Sequence, residues 1–175
     1  MGLLSQMTPR GHRRLILIRH AKSSWADAGM SDHDRPLNPR GRRAAAELGR
    51  WLGARGYLPD QVLCSTAART RETFARLGLS GAPEPELQPA LYQAEPAAML
   101  AALKRATGQV VMMLGHNPGI AALAALLPAE PPRHPDFPRF PTAATLVVDF
   151  EIDSWADVEP HRGAALDFFV PSGRD

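Results

Sequence analysis

The stretch Leu15-Ile16-Leu17-Ile18-Arg19-His20-Ala21-Lys22 decides how this chain is read. Four consecutive aliphatic residues with no polar alternation predict a strand covered on both faces, as in the interior of a parallel sheet. The strand stops abruptly at Arg19-His20. In open α/β sheets ligands gather at the carboxyl ends of the strands, so the residues just after each apolar run are the first place to look for chemistry.

Working outward, Lys22 to Arg35 is polar, and Asn38-Pro39 then reads as a helix N-cap with proline in the first turn. Ala44, Leu48, Trp51 and Leu52 recur at helical spacing, and Gly56 ends that helix near Arg55. Gln61 to Ser65 predicts a second strand, and Thr66 is placed to cap a helix running to Leu77. Glu86 to Leu91 is a weak extended segment, Pro96 to Arg105 a helix, and Val110 to Leu114 a third clear strand. Asn117-Pro118 repeats the cap-and-proline start before a helix that Pro128 ends. Alternating strands and helices predict an α/β domain with a largely parallel sheet covered on both faces. Pro128, Pro131, Pro132, Pro135, Pro138 and Pro141 exclude a regular element and predict a long surface loop. Strands return at Ala144 to Phe150 and Ala165 to Val170, with too little chain between them for a crossover helix, so they are expected as an antiparallel edge.

The 175 residues suit one domain. Residues 1–12 are expected as a flexible leader and 13–175 as the single domain. With 20 Lys and Arg against 18 Asp and Glu, the net charge of +2 gives no reason to expect nucleic acid as a partner. No apolar run is long enough to span a bilayer, no signal-peptide core precedes Arg19, and Cys64 stands alone, so the expectation is a cytoplasmic protein with no membrane partner.

The three clear strands end in Arg19-His20, in Ser65 with Arg69 close behind, and in Gly115-His116. Taken alone, each histidine is more often structural than catalytic, and an arginine in a first helical turn opposes the helix dipole. Arg69 and His116 in such positions make sense if an anion sits over the helix N-termini. Two arginines and two histidines converging there describe a site for a phosphate dianion. An imidazole kept neutral by flanking guanidiniums is a nucleophile toward phosphorus, which is the role expected of His20. Arg19, Arg69 and a protonated His116 would hold the equatorial oxygens.

These residues also resemble a family. Leu-Ile-Leu-Ile-Arg19-His20-Ala21-Lys22, Ser65-Thr-Ala-Ala-Arg69-Thr-Arg-Glu-Thr73 and Leu-Gly-His116-Asn-Pro-Gly are similar to the three signature blocks of the histidine phosphatase superfamily, to which the phosphoglycerate mutases also belong. The short length and the block Ser31-Asp-His-Asp-Arg35-Pro-Leu-Asn38-Pro-Arg-Gly41 look most like the SixA-type phosphohistidine phosphatases. The resemblance implies a three-layer α/β/α sandwich: a mostly parallel six-stranded sheet, first and fourth strands adjacent, with one antiparallel strand near the C-terminal edge. It implies His20 as the phosphorylated nucleophile, Arg19 and Arg69 as phosphate ligands, His116 as the second catalytic histidine, and no cofactor. Ala21 stands where many relatives carry glycine.

Phosphomonoesterases of the superfamily use a carboxylic acid to protonate the leaving alkoxide. Asp34, Asp32 and Glu95 are the candidates, with His33 beside them, yet a solvated surface role is the commoner one for each. A phosphoramidate is protonated on nitrogen more readily than an ester on its bridging oxygen. Phosphohistidine hydrolysis can therefore dispense with a strong acid. The expected activity is removal of phosphate from phosphohistidine on a signalling protein, such as a histidine-containing phosphotransfer domain, with inorganic phosphate as product. Arg35 is expected near the phosphate or the docked partner, and Trp25 either packs on substrate or anchors its own loop. The alternatives are hydrolysis of a small phosphorylated molecule and a binding module without turnover. A cysteine phosphatase is excluded by spacing, because four residues separate Cys64 from Arg69 where that chemistry needs five. The histidines show no metal-ligand spacing.

Overall fold

The computed structural model describes residues 11–172. Of the leader expected at 1–12, residues 1–10 lie outside this range, while His12 bonds through Nε2 to Asp149. Strand β1 (Arg13–Arg19) is followed by α1 (Pro39–Arg55), β2 (Gln61–Ser65), α2 (Ala68–Leu77), β3 (Glu86–Gln88), α3 (Pro96–Lys104), β4 (Val110–Gly115), α4 (Gly119–Leu126), β5 (Thr145–Phe150) and β6 (Ala164–Phe169). The six strands form one sheet in the order β3-β2-β4-β1-β5-β6. Neighbours from β3 to β1 run parallel, and β5 is antiparallel to both β1 and β6. The single reversed strand is therefore β5, next to the edge.

The uninterrupted apolar run of β1 is explained by its two faces. Leu15 and Leu17 pack with Leu103, Leu123 and Leu146 on one side, and Ile16 and Ile18 with Leu48, Leu52 and Leu114 on the other. All four are fully buried, which at roughly 25 cal/mol per Å² makes β1 a large contributor to the core. Helices α1 and α2 cover the second face, α3 and α4 the first, giving three layers.

Asn38 caps α1 as its sequence predicts, its Oδ1 accepting from Gly41 N–H at 2.8 Å, and Gly56 ends the helix in the left-handed region with φ 73°. Two other caps differ from expectation. Residue Ala67 occupies the cap of α2, and Thr66 instead places its Oγ1 2.8 Å from His33 Nε2. Pro118 occupies the cap of α4 after a cis Asn117-Pro118 bond, and the Asn117 amide reaches away from the helix. The loop at 128–141 holds no regular element, but it is not wholly a surface loop, because Phe137 and Phe140 are buried against Phe168.

Close approach joins α1 to the segment after β1. A Cβ on Gly41 would lie 2.1 Å from the Lys22 carbonyl oxygen, so only glycine lets the helix start there. Glu72 of α2 fastens the same region, accepting from Leu37 N–H at 2.9 Å and Arg42 Nε at 2.8 Å.

Candidate active site

Parallel pairing sets Arg19 opposite Gly115, so His20 and His116 are the next residues along two adjacent strands. Their rings lie 5.2 Å apart, centroid to centroid. Both are nearly enclosed, at 7% and 4% exposure, as is Arg69 at 5%. The sequence-predicted quartet therefore meets at one end of the sheet, around a cavity of about 270 Å³. A larger cavity, about 680 Å³ beside His12 and Glu159, contains none of the predicted site residues.

His20 is oriented by its neighbour's backbone. Its Nδ1 lies 2.7 Å from the Ala21 carbonyl oxygen, which can only accept, so Nδ1 carries the hydrogen and Nε2 keeps its lone pair. Burial, followed by the charges of His116, Arg19 and Arg69, holds its pKa well below 6.5 despite that hydrogen bond. Thr73 ties this segment to α2: its hydroxyl accepts from Ala21 N–H at 2.9 Å and donates to the Arg69 carbonyl at 2.7 Å.

Arg69 donates from Nη1 to the Asp32 carbonyl at 2.8 Å and from Nη2 to Asp32 Oδ2 at 3.1 Å. Arg19 reaches the Phe140 carbonyl through Nη1 at 3.2 Å. Burial and the positive charge of Arg69 lower the pKa of Arg19, the mark of like charges held together in a partly dry site. His116 is likewise pushed down to about 4, first by burial and then by Arg69. Without a bound anion the ring is thus neutral at pH 7, whereas the sequence expectation of a protonated His116 is for the form holding phosphate oxygens.

Among the described residues, four buried side-chain polar atoms have no hydrogen-bond partner: Arg19 Nε, Arg69 Nε, His116 Nδ1 and Asn117 Oδ1. All four belong to residues that line this cavity. Such orphans are rare in folded proteins and costly, so their concentration here marks a site completed by a ligand. Three are nitrogens able to donate, as an anion requires.

The acid candidates separate. Asp32 is the one carboxylate among the lining residues, and it is fully engaged: Oδ1 accepts from Arg35 Nε and Nη2, Oδ2 from Arg69 and from the Tyr92 hydroxyl at 2.5 Å. The Tyr92 hydrogen bond above all, then Arg35 and Arg69, hold its pKa far below the usual carboxylate range. Asp34 points to solvent beside His33, and Glu95 is an exposed residue ahead of α3; neither lines the cavity. Arg35 lines the cavity but already donates to Asp32, to Ser23 Oγ at 2.6 Å and to the Ser24 carbonyl. Trp25 does not bury itself to anchor its loop. It is 77% exposed at the cavity wall, with the Arg35 guanidinium 3.6 Å from its ring centre.

Sequence reasoning missed Tyr92, Gln93 and the side chain of Asn117. Tyr92 and Gln93 follow the end of β3, so the strand-end rule that selected the other residues would have reached them had the weak strand been trusted. Asn117 donates from Nδ2 to the Arg139 and Phe140 carbonyls at 2.9 and 3.2 Å, pinning the proline-rich loop beside the site. Among the described residues no group of three or more His, Cys, Asp or Glu side chains is placed to hold a metal ion. No helix of the described residues is long and apolar enough to cross a membrane.

The fold and site together define an α/β protein that gathers two arginines and two histidines around one cavity at the carboxyl ends of β1, β2 and β4. Residues 15–95 match the family model described as histidine phosphatase superfamily, branch 1. An uncharacterised protein of Mycobacterium tuberculosis is 40% identical over 161 residues, covering 88% of this chain and 99% of its own length. A proposed phosphohistidine phosphatase SixA from Nakamurella multipartitia superposes with a TM-score of 0.78 at 34% identity, over 95% of this chain and 100% of that one. Its counterpart from Agrobacterium tumefaciens gives 0.74 at 31% identity, over 91% and 98%. The chain belongs to the histidine phosphatase superfamily, and it is a hydrolase acting on phosphate.

Proposed function

We propose that this protein is a metal-independent phosphatase that passes through a phosphohistidine intermediate on His20 and removes phosphate from phosphohistidine carried on a protein. The observation that carries the reading is the set of three unpartnered buried nitrogens, on Arg19, Arg69 and His116, around an imidazole whose Nε2 lone pair is free. In the first step Nε2 bonds to phosphorus as the substrate's N–P bond breaks, its electron pair staying on the leaving ring, which departs neutral because its other nitrogen carries a proton. In the second, water bonds to phosphorus, the Nε2–P pair returns to His20, and both water protons leave on dihydrogen phosphate. Arg19, Arg69 and His116 hold the equatorial oxygens throughout.

The leaving group selects the substrate class. The one lining carboxylate, Asp32, is kept ionised and has its oxygens occupied by two arginines and a tyrosine, so it has no proton to give an alkoxide. A protonated imidazole needs none. The solved relatives that carry the phosphohistidine phosphatase name support the same choice, and a histidine-containing phosphotransfer domain in the cytoplasm is the partner of matching chemistry. Asp34 and Glu95 take no part, and Arg35 acts by holding Asp32 and Trp25.

The test is turnover of a phosphohistidine peptide and of p-nitrophenyl phosphate by wild type and His20→Ala, with and without chelator. Faster cleavage of the peptide, indifference to chelator and a dead variant are expected. Preference for the aryl ester would shift the reading to a small-molecule phosphatase. Binding of phosphopeptide without cleavage would leave a phosphate-binding module.

A further inference from the structure

We propose that Ser65 fixes His116 as the tautomer protonated on Nδ1, so that this ring donates an N–H to the phosphoryl group without first becoming a cation. Ser65, the last residue of β2, is fully buried. Its Oγ has two neighbours: Ala67 N–H at 3.3 Å and His116 Nε2 at 2.8 Å. The backbone N–H can only donate, so Oγ accepts there and its own proton must go elsewhere. His116 Nε2 is the acceptor placed to take it. The reverse arrangement, with Nε2–H donating to Oγ, would leave a hydroxyl proton buried and unpaired. With the Nε2 lone pair used, the proton of the neutral ring sits on Nδ1.

Nδ1 is itself buried with no partner, so it is a donor whose acceptor arrives with the substrate. This resolves a difficulty in the site. Burial and Arg69 keep His116 uncharged near neutrality, yet its position beside the nucleophile calls for a donor. A neutral Nδ1–H donor meets both conditions. His20 and His116 then share one tautomer but are anchored by opposite nitrogens. His20 is held through Nδ1 and presents a lone pair; His116 is held through Nε2 and presents a hydrogen.

The phosphoryl target rests on the reading under Proposed function, whereas the tautomer does not. Long-range 15N–1H correlation spectra of the ligand-free wild type at pH 7 should show His116 Nδ1 as the protonated, pyrrole-type nitrogen and Nε2 as the pyridine-type one. In Ser65→Ala the ring should shift to the other tautomer or to a mixture, with kcat/KM falling about tenfold or more. Ser65→Thr should restore both. An Nε2–H ring or an imidazolium in the wild type overturns the proposal, and that spectrum decides even if Ser65→Ala does not fold. An unchanged Nδ1–H tautomer in a folded Ser65→Ala also overturns it. Failure to detect phosphorylated His20 would remove the phosphatase reading and leave the spectroscopic result standing.

Discussion

Asp32 holds Arg69 at two points, by its carbonyl and by Oδ2, so one residue of the polar segment after β1 sets the position of a guanidinium on α2. The same carboxylate holds Arg35, making Asp32 a clamp between two cations.

Asp32→Asn should therefore weaken catalysis by loosening Arg69. The expected loss in kcat/KM is about tenfold, of the size of one charge-assisted hydrogen bond. Because no proton is lost from the reaction, the factor should be the same for good and poor leaving groups. A series of aryl phosphates measures this; a loss that grows with leaving-group pKa would restore Asp32 as the acid.

Thr73→Val removes the hydroxyl shared by Ala21 N–H and the Arg69 carbonyl, leaving a buried donor unpaired beside His20. Urea unfolding should show a cost of about 1–3 kcal/mol, with activity reduced because Ala21 also supplies the carbonyl that orients His20.

Stability should depend on pH through the buried histidines. His116 has a folded pKa of about 4 against 6.5 for the free side chain, so between those values the unfolded chain binds the proton first. Its contribution is complete above pH 6.5 and is lost as pH falls toward 4, amounting to about 3 kcal/mol. His20 acts in the same direction. Thermal unfolding of wild type and His116→Gln across this range tests the point, the variant showing the shallower pH dependence.

Cys64 is buried on the face of β2 that packs on α1, and burial pushes its thiol up to about 12. Iodoacetamide should leave the native protein active. Cys64→Ala should keep its activity and lose only modest stability, which distinguishes it from a nucleophile.

Gly41→Ala would drive a Cβ into the Lys22 carbonyl at 2.1 Å. The helix start or the segment bearing His20 must move, so about 3 kcal/mol or more of stability is expected to be lost. Chemical denaturation alongside kcat measures both effects.

Much of this protein is legible in order of chain. The β1 run, the Asn38 cap and the Arg19-His20 ending are local patterns, and each local pattern has one physical solution: burial on two faces, a capped N-terminus, a strand that stops. The caps misread at Thr66 and Asn117 show the limit. Both residues have the right side chain for a cap, but His33 and the 139–140 carbonyls, distant in sequence, offer them other bonds. The polar pattern of 31–35 shows the same thing for the site. Asp32 reads as a spare acid until Tyr92, Arg35 and Arg69 are seen around it.

What the sequence by itself determined is the α/β class, the parallel core and the chemistry of a phosphate-handling histidine, because residue type and strand-end position follow from local periodicity. Only the tertiary structure decided how closely the His20 and His116 rings approach, at 5.2 Å, that burial lowers the pKa of His116, and that Asp32 is a clamp. Ionisation and tautomer depend on burial and on partners brought from β2, α2 and the turn after β3, and those distances exist only once the sheet has closed around them.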